Sequence, residues 1–147
     1  MAEASPPQTA PNAPWHFWLV GVLGMICGAL GCYDFLMTNM RNADYIAAFT
    51  PYRIDFLDGF PTWLVMGWGI EMGCIVLGSF LLLSRSFWAV VAFGFSVFFM
   101  VVSQAYQLTM GLPPSMSTLS YGSQVAIIWA IAVGLLAYAN RMRTRRI

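Results

Sequence analysis

One acidic residue sits where acid is expensive. Glu71 is the only charged residue in the apolar run 61–84. It lies about ten residues into that run, so roughly 15 Å deep at 1.5 Å per residue. A carboxyl group at that depth cannot face lipid without a large desolvation cost. Its helical neighbours at i−4, i+3 and i+7 are Gly67, Cys74 and Gly78. All are small, so Glu71 shares a close-packing stripe and is expected to point into a helix bundle. Two chemistries suit such a group: proton coupling, or binding of a substrate hydroxyl or cation. The purely structural alternative is a glutamic acid hydrogen-bonded to a neighbouring helix.

The next apolar run supplies candidate partners. Ala89, Ala92, Ser96, Met100, Ser103 and Gln107 recur at helical spacing, with Gln104 beside them. Ser103, Gln104 and Gln107 fall in the outer half of that run. Asp34, with Tyr33 and Tyr106, joins the same layer. Together they predict a polar pocket open to the outside and floored by Glu71. For Gln107 and Asp34, simple hydration near the interface is the plain alternative. Gln124 falls on the far face of its helix and is left out.

Other chemistry finds less support. Cys27, Cys32 and Cys74 all lie in apolar runs, with no CxxC or CxxCH pattern to signal a thiol redox pair or covalent haem. The single histidine, His16, cannot build a metal site alone, and no metal site is expected. The ten methionines read as packing filler. No phosphate-binding loop, nucleophile elbow, zinc-protease or dinucleotide signature is present.

The elements that must position these residues follow from composition. The chain has 147 residues, 59% hydrophobic and only 9% charged, against about 25% charged in soluble domains. A soluble globule this apolar would expose large aggregating patches; a bilayer removes the problem. The expected fold is an all-α membrane protein, a four-transmembrane-helix bundle with short amphipathic helices in the first external loop. The net charge of +1 argues against nucleic acid as a partner. The expected partners are the lipid bilayer and either further copies of the chain or a larger membrane complex.

Residues 1–14, rich in proline, read as a disordered tail. The first span, about 15–37, opens with the aromatic anchors Trp15, Phe17 and Trp18. Gly21, Gly24, Gly28 and Gly31 follow on one stripe, where another helix backbone can approach closely. In the connection 38–60, Asn42 is expected to cap a short helix through Phe49. Thr50 and Pro51 cap and open a second helix, which Gly59 ends. Their apolar and charged residues alternate, as in helices lying on a membrane surface. Spans two and three, about 61–84 and 87–109, are joined by a turn at Arg85 and should be antiparallel neighbours, with Gly67 and Gly78 as packing positions. Pro113 and Pro114 interrupt the helix before span four, about 121–138. There Ser123, Ala126, Ala130, Gly134 and Ala137 predict a packing stripe. A basic tail, 141–147, ends the sequence.

Arginine distribution sets orientation, because basic residues favour the cytoplasmic side. With four spans, Arg85 and the four arginines after residue 140 share one side, and Arg41 and Arg53 the other. Both termini are therefore expected in the cytoplasm, with the protein in the cell inner (plasma) membrane.

The stretch IEMGCIVLGSFLLLSRSFWAVVAF (70–93) resembles the second and third helices of the DoxX-like family of small four-helix membrane proteins. The resemblance rests on Glu71 opening a glycine-spaced helix, on Gly73 and Gly78, and on the turn at Arg85. It implies quinone-connected or thiol-related redox chemistry, with quinone as the cofactor. The run 33–65 is similar to small proteobacterial membrane proteins, some of which carry the label sugar transporter. Three functions follow as expectations. The first is a carrier or ligand-binding membrane protein using Glu71, Ser103, Gln104 and Asp34. The second is an accessory or assembly subunit of a larger complex. The third is a redox protein of the DoxX type.

Overall fold

The computed structural model describes residues 14–111 and 119–144. Six helices follow in order: α1 (Trp15–Asn39), α2 (Ala43–Ile46), α3 (Pro51–Asp58), α4 (Thr62–Leu83), α5 (Trp88–Met110) and α6 (Leu119–Thr144). Local chemistry explains the boundaries. Pro14 and Pro61, both extended, precede α1 and α4. The Asn42 side chain accepts the Tyr45 backbone N–H at 3.1 Å and caps α2. The Thr50 hydroxyl accepts that of Arg53 at 3.3 Å, Pro51 occupies the first turn, and Gly59 closes α3. At both ends of the bundle an arginine takes the left-handed conformation that turns the chain, Arg41 at φ +54° and Arg85 at φ +56°.

The helices α1, α4 and α5, with residues 121–144 of α6, are each long and apolar enough to cross a bilayer. Their outward faces carry large apolar side chains, among them Leu23, Ile26, Leu30, Phe95 and Phe98. The protein is thus an all-helical, multi-pass membrane protein.

Helix α4 is the centre of the bundle, packed on one side against α1 and on the other against α5. Missing side chains permit both contacts. A methyl group on Gly28 would lie 2.9 Å from Val76 Cγ2 and 3.1 Å from the Val76 backbone nitrogen. One on Gly24 would lie 2.6 Å from Ser79 Oγ and 3.0 Å from Leu135 Cδ2 of α6. Gly21 and Gly31 face Leu83 and Met72. On the other side, a methyl group on Gly78 would lie 2.8 Å from the Phe93 ring, and one on Gly67 3.2 Å from that of Phe99. The tightest core, around Phe17, Leu82, Phe93 and Leu135, lies at the end holding the α4–α5 turn.

Several boundaries shift. The α2 helix stops at Ile46 rather than Phe49, and α6 runs through Arg141 and Arg143 to Thr144, taking in the start of the expected basic tail. The tail over 1–13, the Pro113–Pro114 interruption and the last three residues lie outside the described residues. The stripe expected to pack in α6 is a correction. Ser123, Ala126, Ala130, Gly134 and Ala137 are all exposed, and a methyl group on Gly134 would meet nothing within 4 Å. The buried face of α6 is the opposite one, Ala132, Leu135, Ala139 and Met142, because the glycines of α1 leave room for Leu135.

This asymmetry predicts how two glycines respond to the same change. Gly28→Ala forces the α4 backbone away and should cost about 1–3 kcal/mol, as overpacking does. Gly134→Ala should leave stability unchanged or slightly raised, since alanine is the better helix former. Unfolding of the purified protein in mixed micelles measures both.

Candidate functional site

The packing contacts set the level of Glu71. Gly67 meets Phe99 and Gly78 meets Phe93, and Glu71 lies between those glycines on the same stripe of α4. It is therefore level with the part of α5 between Phe93 and Phe99, whose inward residue is Ser96, 1% exposed. Glu71 is itself only 5% exposed. The carboxyl group makes no hydrogen bond or ion pair among the described residues. The Ser96 hydroxyl is likewise buried without a partner. By contrast, Ser79, one stripe over on α4, donates to the Ile75 carbonyl at 2.8 Å, the usual way a helix satisfies a serine.

The rest of the α5 stripe behaves as its spacing predicts. Ala89, Ala92, Met100 and Ser103 are buried, and Gln104 and Gln107 are half-buried. Tyr106 stacks edge-on against Trp63 at 5.1 Å between ring centres. Asp34 is engaged elsewhere: its carboxylate accepts the hydroxyl of Tyr45 from α2. Tyr33 packs edge-on against the Tyr45 ring at 5.9 Å, and the Arg53 guanidinium lies 3.8 Å over Phe49. These contacts fold the connection back over the bundle end and bind Asp34 into it, rather than into a pocket with Gln104.

A cavity of about 240 Å³ opens between α1, α3 and α4. Thr38, Asn39, Arg41, Asp58, Phe60 and Trp68 line it; Glu71, Ser103 and Gln104 do not. The Thr38 hydroxyl is buried and has no partner among the described residues, and Arg41 and Asp58, both lining the cavity, form an ion pair. At the opposite end of the bundle His16 Nδ1 and the Tyr138 hydroxyl are hydrogen-bonded at 2.6 Å, tying α1 to α6. Among the described residues no cluster of three or more histidines, cysteines or acids is placed to hold a metal ion.

Sequence reasoning passed over Ser96 as the residue level with Glu71, although it was on the stripe. It also missed Tyr45, Tyr138 and Thr38. Ser96 was legible from helical spacing; the other three act through tertiary contacts that no local pattern announces. No family model, no curated protein and no solved structure matches the chain.

Tyr45 carries a pH-dependent contact. Its hydrogen bond to Asp34, followed by partial burial and the Asp34 charge, pushes its phenol from the ordinary 10.0 up to about 12. A raised phenol stabilises the fold fully below pH 10.0, and that contribution is lost as pH rises through about 12. Alkaline absorbance titrations of the wild type and of Tyr45→Phe should differ by one tyrosine ionising at about pH 12.

Proposed function

We propose that this protein is a small carrier or ligand-binding protein of the cell inner membrane, and that Glu71 is its working group. The observation that supports this is the pair of unpartnered polar groups, Glu71 on α4 and Ser96 at the same level of α5. A structural glutamic acid in a membrane helix is kept by a hydrogen bond to its neighbour. Glu71 has none among the described residues. A buried carboxyl without a partner is costly, and function is the usual reason such a residue is retained inside a membrane. Glu71 then exchanges a proton or receives a substrate hydroxyl or cation, with Ser96 as a second contact and Ser103 and Gln104 further along α5. The arginine distribution supports cytoplasmic termini, which puts α2 and α3 on the outer face.

A second reading, an accessory subunit of a larger complex, draws on the exposed small-residue face of α6, Ala126, Ala130 and Gly134, where a helix of another chain can approach. The DoxX-like resemblance adds a third, with quinone as the ligand near Glu71.

A thermal-shift screen of polar metabolites and short-chain quinones against the detergent-purified protein separates these readings. For a carrier, at least one polar metabolite should raise the wild-type Tm by several degrees. The same compound should leave Glu71→Gln and Ser96→Ala unshifted, with both variants folded. A compound that stabilises all three proteins equally contradicts the Glu71 site. Stoichiometric partner proteins in a gentle purification, with no ligand response, would favour the subunit reading. A response to quinones alone would favour the third.

A further inference from the structure

The cavity between α1, α3 and α4 has no part in the Glu71 site, and its chemistry is specific. Two opposite charges, Arg41 and Asp58, face each other at its mouth, each side chain about half exposed (50% and 49%). The left-handed turn at Arg41 ends α1 just before α2 and lets its side chain reach Asp58 on α3. Thr38, which also lines the cavity, is 7% exposed, and its hydroxyl is sealed from the cavity and has no partner among the described residues. Asn39 spends its amide N–H on the Phe35 carbonyl at 2.8 Å, which leaves its carbonyl oxygen as an acceptor. Phe60 and Trp68 supply apolar walls, and Trp68 is held edge-on by Phe35 at 5.1 Å between ring centres.

We infer that this cavity is a binding site for a small zwitterion, its anionic group on Arg41 and its ammonium group on Asp58. A simple anion would meet the Asp58 carboxylate, and a simple cation the Arg41 guanidinium. A molecule carrying both charges satisfies both, through charge-assisted hydrogen bonds. The ion pair leaves donors on the guanidinium and an oxygen on the carboxylate for that purpose. The Asn39 carbonyl oxygen is a further acceptor for the ammonium group, and Phe60 and Trp68 cover the carbon skeleton. The volume, about 240 Å³, is below the range of about 300–1,000 Å³ typical of drug-sized pockets and suits a molecule of amino-acid size. Two sources share this chemistry: a free α-amino acid and the phosphoethanolamine headgroup of a lipid.

Calorimetric titration of the full-length protein in detergent tests the inference. The probes are L-alanine and glycerophosphoethanolamine, with acetate and ethylamine as single-charge controls. At least one zwitterion should bind saturably and at least about tenfold more tightly than either control, the scale of one hydrogen bond to a charged group. Alanine binding alone identifies a free amino acid as the source; glycerophosphoethanolamine binding identifies the headgroup. Arg41→Gln and Asp58→Asn should each weaken binding about tenfold. Failure of both zwitterions to saturate overturns the inference. So does binding of a zwitterion that Arg41→Gln and Asp58→Asn leave unchanged.

Discussion

The close approach of α1 and α5 to opposite faces of α4 is the constraint on which the rest of the structure depends. Inside a bilayer the hydrophobic effect does not drive helices together, so association rests on packing and on the few polar contacts available. Glycine makes that packing tight here. Gly28 brings α1 onto the α4 backbone, Gly24 makes room for Ser79 and for Leu135 of α6, and Gly67 and Gly78 take the rings of Phe99 and Phe93. The same stripe that holds those rings holds Glu71. Closing the helices therefore shuts the carboxyl away from lipid at no extra cost in design, and leaves it without a partner.

The two ends of the bundle are built differently. At the α4–α5 turn, apolar residues fill the space among the four long helices, and His16 and Tyr138 fasten α1 to α6. At the other end, α2 and α3 form a polar cover. Its fixed points are Asp34 with Tyr45 and Arg41 with Asp58. Exposed ion pairs of the second kind contribute little stability. The N-terminal half of α6 touches the bundle lightly, and its small residues are exposed.

The long helices were legible because an apolar run of about 20 residues has few other fates. The caps at Asn42 and Thr50 were legible because they depend only on residues three positions away. The glycines of α1 and the buried stripe of α5 followed from periodicity. Periodicity misled in α6, where small residues suggested a contact face. Which face of a membrane helix is buried depends on what its neighbours leave open, and α1 opens a place for Leu135 rather than for Gly134. Asp34 was expected in a layer with Gln104. Its real partner, Tyr45, comes from the way α2 folds back, which no spacing along the chain encodes. The cavity at Thr38 joins three helices and was beyond reach for the same reason.

The central claim is that Glu71 is buried without structural compensation. Replacing it by an apolar side chain of similar length, Glu71→Met, and measuring unfolding of the purified protein in micelles or bicelles tests this most directly. Removing an unpartnered buried polar group should leave the bundle as stable as the wild type, or more stable. A loss of about 2 kcal/mol or more would mean that the carboxyl group holds helices together through a hydrogen bond, and would contradict the account.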